Sequence, residues 1–355
     1  MDRGFPIIAE IIRAADRSPD TVAVHEGSRR ISYRELMAAA ARVATGLDRA
    51  MPRDTRRLVG VLLTDRVHLV STMLGTLSTG RGFVLLDPDD PPERHRFILH
   101  DAAVGSVITD SPLSPRLEGV APTDCVIADI DTFRDHDSPP RSGTIDTDPL
   151  AYVCYTSGST GTPKGVMQTQ SHLLAFARAY AATLGIHADD HVSLLYTPGF
   201  SALFMDVFGA LLNGATLCAY DVRRHGVASL ADWLLTERVT VLHTVPTVFR
   251  RLCATLPPGR VLEGIRAIDL GGEAVSPHDA ALVAAHCEHG CTCWNHLAAT
   301  EASVIAHYAL RPHVDSGRRG LLPVGMPPPA MHVWIENEDG TVAESGVSGR
   351  IVLSS

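Results

Sequence analysis

The chain has 355 residues, 45% of them hydrophobic and 20% charged, with a formal net charge of −9 and a mean hydropathy of +0.09. This is the balance of a globular protein with a sizeable core, large enough for two or three lobes of about 150 residues each, and it excludes a disordered or fibrous chain. The acidic balance, with no Lys/Arg-dense run, argues against nucleic acid as the main partner, and no apolar run approaches the ~18 residues of a membrane span.

The N-terminal segment MDRGFPIIAEIIRAADRSPD is too interrupted by charge for a secretory signal. It reads as a short amphipathic helix ending between Asp16 and Asp20, and a cytosolic location is expected. Beyond it, short apolar runs alternate with segments of helical periodicity. Strands are predicted at LVGVLL (58–63), GSVIT (105–109), CVIAD (125–129), LAYVCYTS (150–157), VSLLY (192–196), ATLCAY (215–220), VTVLHTV (239–245) and RAIDLGG (266–272). Helices are predicted between them at 33–49, 67–79, 91–102, 171–184, 202–213, 228–236, 247–255 and 277–287. The alternation predicts an α/β fold whose Val/Ile/Leu-rich strands are parallel and buried on both faces. A polar loop interrupts it at 133–148. From Val324 the pattern changes to short alternating strands, with a hairpin turn at Glu338–Gly340. The expected organisation is a first βα lobe over about 1–190, a second over about 191–322 and a β-rich unit over about 323–355.

Seven cysteines, an odd number, fit reduced thiols better than a disulfide framework. His286, Cys287, His289, Cys291, Cys293 and His296 crowd into eleven residues. Their C-x3-C and C-x-C spacings match no common structural zinc pattern, so core and loop roles are expected.

The strongest local signal is YTSGSTGTPKGV at 155–166. Small, hydroxylated and glycine residues follow directly on a predicted strand, where tight bends present backbone N–H groups to an anion. Thr156, Ser157, Ser159 and Thr160 offer hydroxyls, Gly158 and Gly161 permit close approach, and Lys164 adds positive charge. This is a phosphate loop. It is not the common P-loop, because Pro163 stands where that motif needs glycine, and no G-x-G-x-x-G follows the strand.

With this loop, ISYREL (31–36), LSTGRGFVLLDPDDPPER (77–94), FGALLNGATL (208–217), GGEAVSP (271–277), NHLAATEAS (295–303) and PVGMP (323–327) resemble, in order, the N-terminal motifs of the acyl-adenylate-forming superfamily. That superfamily includes peptide-synthetase adenylation domains, acyl- and aryl-CoA ligases and luciferases. FGALLNGATL is similar in particular to nonribosomal peptide synthetase adenylation domains. The resemblance spans nearly the whole chain. It implies the large N-terminal subdomain of that fold, with two parallel βαβ sheets flanked by helices and a small C-terminal antiparallel unit. It also implies activation of a carboxylic acid by ATP and Mg2+ as its acyl-AMP, and transfer to the phosphopantetheine thiol of a carrier domain. A free-standing acyl- or aryl-CoA ligase and a non-catalytic nucleotide-binding module are the alternatives.

By the same resemblance Glu301 is expected to coordinate Mg2+ and Thr300 to face the phosphates together with Lys164. Gly271, Gly272 and Glu273 are expected against the adenine, with Asn295 and Leu297 nearby. Phe200 matches the aromatic gate of the acyl pocket, whose wall would be Ser201, Ala202, Met205, His243, Ile268, Leu270, His296, Val304 and Ile305. Three departures stand out. Ser201 replaces the aspartate that pairs with an α-ammonium, so the acid either lacks that group or carries its amine elsewhere. Met205 stands where tryptophan is common. Leu297, Ala298 and Ala299 replace an aromatic, a glycine and a proline. The family continues past GRIVLSS with a ribose-binding aspartate, a hinge and a lid carrying a lysine, so the chain is expected to be a core of a longer protein with little activity of its own.

Overall fold

Motif ISYREL shows why the sequence folds as it does. A computed structural model describes residues 5–51, 58–133, 148–156, 163–257, 259–328 and 331–354. The chain enters through α1 (Pro6–Arg17), whose N-terminal proline suits a first helical turn and whose apolar face buries Ile7, Ile8 and Ile11. Strands β1 (Val22–Glu26) and β2 (Arg29–Ser32) form a hairpin and lead into α2 (Tyr33–Ala50). Ser32 and Glu35 close a reciprocal capping box at the start of α2, an arrangement that contributes about 1 kcal/mol per cap. Tyr33 is fully buried, and its hydroxyl donates to the Ala215 carbonyl oxygen at 2.8 Å.

The first of two compact units, residues 1–221, continues through β3 (Val59–Leu62), α3 (Arg66–Ser78), β4 (Phe83–Leu85), α4 (Pro92–Asp101), β5 (Ser106–Thr109), β6 (Val126–Asp129), β7 (Leu150–Thr156), β8 (Lys164–Thr169), α5 (Gln170–Leu184), β9 (His191–Leu194), α6 (Ala202–Asn213) and β10 (Thr216–Ala219). A six-stranded sheet has the order β6-β5-β3-β4-β7-β8. All its pairings are parallel except β7 with β8. Leu62, Val84, Leu99, Val107 and Val153 belong to the apolar cluster on this sheet. The motif at 77–94 is held by ion pairs from Arg81 to Asp48 and from Arg94 to Asp90, both at 2.9 Å. A second run of strands has the order β2-β1-β10-β9, with β10 parallel to both β1 and β9. That pairing explains why the first unit ends at Asp221 and not near residue 190, where the first lobe was expected to stop. Residues 191–219 supply two strands that hydrogen-bond into the run begun by β1.

The second unit, residues 222–355, holds α7 (Val222–His225), α8 (Leu230–Thr236), β11 (Val241–Thr244), α9 (Pro246–Thr255), β12 (Ala267–Gly271), α10 (Pro277–His286), β13 (Thr292–Ala299), β14 (Ser303–Ala309), α11 (Pro312–Asp315), β15 (His332–Glu336) and β16 (Arg350–Ser354). Strands β11, β12 and β13 are parallel and β14 returns antiparallel to β13. β15 and β16 form a separate two-stranded antiparallel sheet, the small β unit expected past Val324.

Predicted helices and central strands fall within a few residues of those observed. Strands β1, β2, β4, β8 and the β13–β14 hairpin were not predicted, because each is short or polar on one face. The polar insertion at 133–148 lies almost wholly outside the described residues. Among the described residues no helix is long and apolar enough to cross a membrane.

Candidate functional site

In the first unit, the phosphate-loop motif begins in β7 and ends in β8. Thr156 and Lys164 are paired across this antiparallel hairpin, so the loop returns to a strand instead of launching a helix. Ser157, Gly158, Ser159, Thr160 and Gly161 lie outside the described residues. Lys164 is exposed at the loop's far end. Next to β7, the Cys154 thiol lies 3.8 Å from the Gly199 carbonyl oxygen, and the Phe204 ring packs on Tyr152 with centroids 4.0 Å apart. These contacts fix the start of α6. Phe200, just before it, is 59% exposed, which excludes a core-packing role. Ser201 and Ala202 are half-buried and Met205 is buried; Ser201 and Met205, four apart, share a helix face. Asp206 is turned to α5, accepting from the Tyr180 hydroxyl at 3.0 Å.

In the second unit, β12 ends in GGEAVSP. Gly271 has no room for a side chain: a Cβ would come within 2.9 Å of the His296 ring. Gly272 adopts φ +78, and a Cβ there would meet only Val245 at 3.6 Å. Its face is open, as close approach by a flat ring requires. The Glu273 carboxylate accepts from the Thr247 N–H at 3.0 Å and the Thr247 hydroxyl at 2.6 Å, capping α9, whose own N-cap residue provides no side-chain bond. Asp279 is fully buried and pairs with Arg250 through bonds of 2.6 and 2.7 Å. It also accepts from Ser276 N–H and hydroxyl. Burial opposes its ionisation, but the Arg250 and Ser276 bonds outweigh burial and hold its carboxyl below the ordinary range.

NHLAATEAS forms β13, a turn and the start of β14. The Asn295 amide donates to the Pro323 carbonyl oxygen at 2.7 Å, and Met326 bridges to His307 in both directions at 3.0 and 3.1 Å; motif PVGMP is thereby docked on β14. Leu297 is half-buried, Thr300 half-buried and Glu301 exposed in the turn. Register shifts between Leu297 and Ala298, leaving Ile305 as an extra residue beside Val304, and both are buried. Such bulges re-aim side chains next to sites.

Strand register decides which predicted wall residues meet. His243 lies opposite Asp269, and Gly271 opposite His296. Because side chains alternate, Asp269 and Gly271 share the face of His243 and His296. Ile268 and Leu270 face the other way, beside Leu242, Cys293 and Asn295. The Asp269 Oδ2 lies 2.7 Å from His296 Nδ1 and 3.6 Å from His243 Nε2. All three are buried. Burial opposes ionisation of Asp269, and the neighbouring charge of His296, then His243, outweighs it, so the carboxyl is held below its usual range.

With this geometry in place, the AMP-binding enzyme family profile matches residues 11–355. The chain belongs to the AMP-binding enzyme family. It is 29% identical to gramicidin S synthase 2 of Brevibacillus brevis over 341 residues, 95% of this chain and 7% of that protein. It is 31% identical to syringomycin synthase SyrB1 of Pseudomonas syringae pv. syringae over 267 residues, 74% of this chain and 42% of that protein. It is also 32% identical to the probable non-canonical nonribosomal peptide synthetase CymA of Salinispora arenicola over 349 residues, 96% of this chain and 4% of that protein. The chain thus spans less than half the length of these relatives. Among solved structures, nonribosomal peptide synthetase FmoA3 with α-methyl-L-serine-AMP bound has a TM-score of 0.90 at 24% identity, covering 99% of this chain and 40% of that one. The Klebsiella oxytoca NpsA N-terminal subdomain in complex with 3-hydroxybenzoyl-AMSN has a TM-score of 0.82 at 22% identity, covering 98% and 86%. These likenesses establish the fold, that of the N-terminal subdomain of AMP-binding enzymes.

Asp269 was missed from the sequence. Its signal was the alternation within RAIDLGG: taking the two glycines as the strand's end and His243 as a wall residue leaves the choice between odd and even positions to inter-strand register.

Proposed function

We propose that this AMP-binding chain is the acid- and nucleotide-binding core of an adenylate-forming ligase of nonribosomal peptide-type biosynthesis. The acid's carboxylate attacks the α-phosphorus of ATP, pyrophosphate leaves, and the acyl-AMP passes to the phosphopantetheine thiol of a carrier domain. The observation that carries this reading is the family match across residues 11–355, on a chain whose motif residues form a consistent fold. The peptide-synthetase names of its relatives support a carrier thiol over coenzyme A as acceptor.

The residues fit the ligands expected of them. Gly272 leaves an open backbone face for adenine. Glu301 is an exposed carboxylate in a hairpin turn, the hard oxygen donor that Mg2+ prefers alongside phosphate oxygens. Bound there, Mg2+ would neutralise phosphate charge as it moves to the leaving pyrophosphate. Thr156, the Ser/Gly loop and Lys164 would hold the phosphates, Thr300 would donate its hydroxyl to them, and Phe200 would close the acid's entrance. Most of this work is positioning and fixed charge. No side chain needs to form a covalent bond.

The test is binding, since 355 residues cover only part of the relatives. A non-hydrolysable acyl-sulfamoyl adenosine that binds the folded state alone raises stability by RT ln(1 + [L]/Kd). A rise in melting temperature with acyl-sulfamoyl adenosines, exceeding that with adenosine, is expected. No rise with any acyl group across aliphatic, amino and aryl acids would overturn the reading.

A further inference from the structure

We propose that Cys287 and Cys291 form a redox-active thiol pair, a site at which a low-molecular-weight disulfide oxidises the chain to an intramolecular disulfide between these two residues. The site lies wholly within the second compact unit and stands independently of the adenylation reading.

The segment between α10 and β13 brings the two sulfurs together. Cys287 ends α10, its N–H donating to the Val283 carbonyl oxygen. It also bridges in parallel to Leu262, whose N–H donates to the His286 carbonyl oxygen at 2.7 Å. Thr292, immediately after Cys291, is anchored in the same way: its N–H donates to the Arg266 carbonyl oxygen at 2.9 Å. Between these anchors a turn reverses the chain, closed by the Cys291 N–H donating to the Glu288 carbonyl oxygen at 3.0 Å, with Gly290 at φ +107. The Glu288 carboxylate fastens the turn by accepting from the Gly264 N–H at 3.3 Å. The Cys287 and Cys291 side chains meet in a thiol-to-thiol hydrogen bond. Both are half-buried, next to exposed Glu288, His289 and Gly290, so a small reagent reaches them without unfolding the core.

The shared hydrogen bond divides the roles. Donated by the Cys287 thiol, it holds Cys291 below the ordinary thiol range against burial and the Glu288 carboxylate, and the Arg266 charge acts in the same direction. The same bond, and then burial, push Cys287 up. Cys291 is therefore the attacking sulfur. Its thiolate displaces RS− from a disulfide RSSR to form a mixed disulfide, and the RS− takes up the proton that Cys291 gave to solvent. Cys287 then loses its proton and attacks the Cys291 sulfur, expelling the second RS−, which leaves as RSH. Two protein thiols are oxidised by two electrons, and RSSR is reduced to two thiols. Burial makes the other two thiols of this unit poor nucleophiles: Cys253 is pushed up to about 12 and Cys293 well above the ordinary value. A metal is the rival occupant. Among the described residues the sole group of three His, Cys, Asp or Glu ligand atoms within reach of one ion is His243, Asp269 and His296. The pair thus has no third ligand with which to build the four-coordinate site that structural zinc takes.

Peptide mapping tests this. The reduced 355-residue chain is incubated with glutathione disulfide, quenched in acid, alkylated and cleaved after glutamate. Cleavage at Glu273, Glu288 and Glu301 separates residues 274–288 from 289–301; the two fragments are expected to stay joined in the oxidised chain and to part on reduction. Fragmentation is expected to place the bond at Cys291, with Cys293 alkylated. Cys291→Ser is expected to abolish the bond, Cys293→Ser to keep it, and Cys287→Ser to stop at the mixed disulfide on Cys291. In the native reduced chain, mapped alkylation by iodoacetamide is expected to be at least about ten-fold faster at Cys291 than at Cys253 or Cys293. A bond to Cys293 or Cys253 in place of Cys291, a mixed disulfide that persists in the unsubstituted chain, or no reaction under conditions that oxidise dithiothreitol each overturns the proposal. So does one equivalent of zinc bound to the reduced chain and lost in both Cys287→Ser and Cys291→Ser, which marks a metal site. The mapping needs only the unsubstituted chain, so it decides even where a variant does not fold. Failure of acyl-sulfamoyl adenosines to bind sinks the adenylation reading and leaves this one standing.

Discussion

Replacing Gly272 by alanine separates what the fold needs at that residue from what a nucleotide needs. The backbone sits at φ +78, and the added methyl would touch only Val245 at 3.6 Å, an ordinary contact. The cost to the protein is then that of holding an L-residue in the left-handed region, about 1–2 kcal/mol. Gly264 has the same φ of +78 and nothing within 4 Å of its would-be Cβ, so Gly264→Ala carries the same cost without a proposed ligand beside it. If adenine rests on the bare face of Gly272, a methyl projecting by ~1.5 Å lifts the ring out of contact. A loss of 1.4 kcal/mol or more, ten-fold or more in Kd at about 1.4 kcal/mol per decade, is expected for an acyl-sulfamoyl adenosine. Urea unfolding and titration calorimetry on both variants provide the comparison. Both should lose similar stability, and only Gly272→Ala should lose affinity. Equal affinities in the two variants would refute the placement of the adenine.

Three further outcomes follow from the same structure. Asp279→Ala should cost about 2–4 kcal/mol at neutral pH in chemical denaturation, toward the lower end for breaking a buried pair because Arg250 keeps 35% exposure to water. Since the folded carboxyl is held below its usual range, the stabilisation is complete above the unfolded value near ~4 and is lost as pH falls through the lower folded value; the gap between wild type and Asp279→Ala must narrow in acid. Glu301→Ala, at an exposed turn, should leave the ligand-free melting temperature within about 1–2 °C, in keeping with surface substitutions of under ~0.5 kcal/mol, yet abolish the Mg2+-dependent part of ATP stabilisation. An unchanged Mg2+ effect would remove Glu301 from the site. Leu297→Tyr restores an aromatic at a half-buried position and should tighten nucleotide binding by about 1 kcal/mol, roughly five-fold; no gain would show that the side chain does not reach the base.

Much of the fold was readable because its signals are local. Helices such as α2, α5 and α6 follow apolar periodicity and end at caps: Ser32 with Glu35 opens α2, and Gly185 and Gly214 close α5 and α6 in the left-handed conformation. Fully buried β3, β5, β10, β11 and β12 read as apolar runs. What was not readable depends on partners distant in sequence. β1 and β2 are five and four residues long and become strands because β10, nearly two hundred residues later, pairs with β1. The same dependence displaced the first unit's boundary to Asp221. In the site, identities were legible and directions were not: the resemblance names Ile268, Leu270 and His243 together, but only the pairing of His243 with Asp269 shows that the even positions of β12 face away from His243.

The matched motifs divide by what their side chains already do in the folded chain. Tyr33 holds Ala215, Glu273 caps α9, and Asn295 holds Pro323; these side chains are committed to joining one motif to another or to capping a helix, and their identity follows from folding alone. Phe200 is different. So is Lys164. Both are exposed, and neither is required for burial of a core, so folding by itself gives no reason for a large aromatic and a lysine to stand at those two positions of matched motifs.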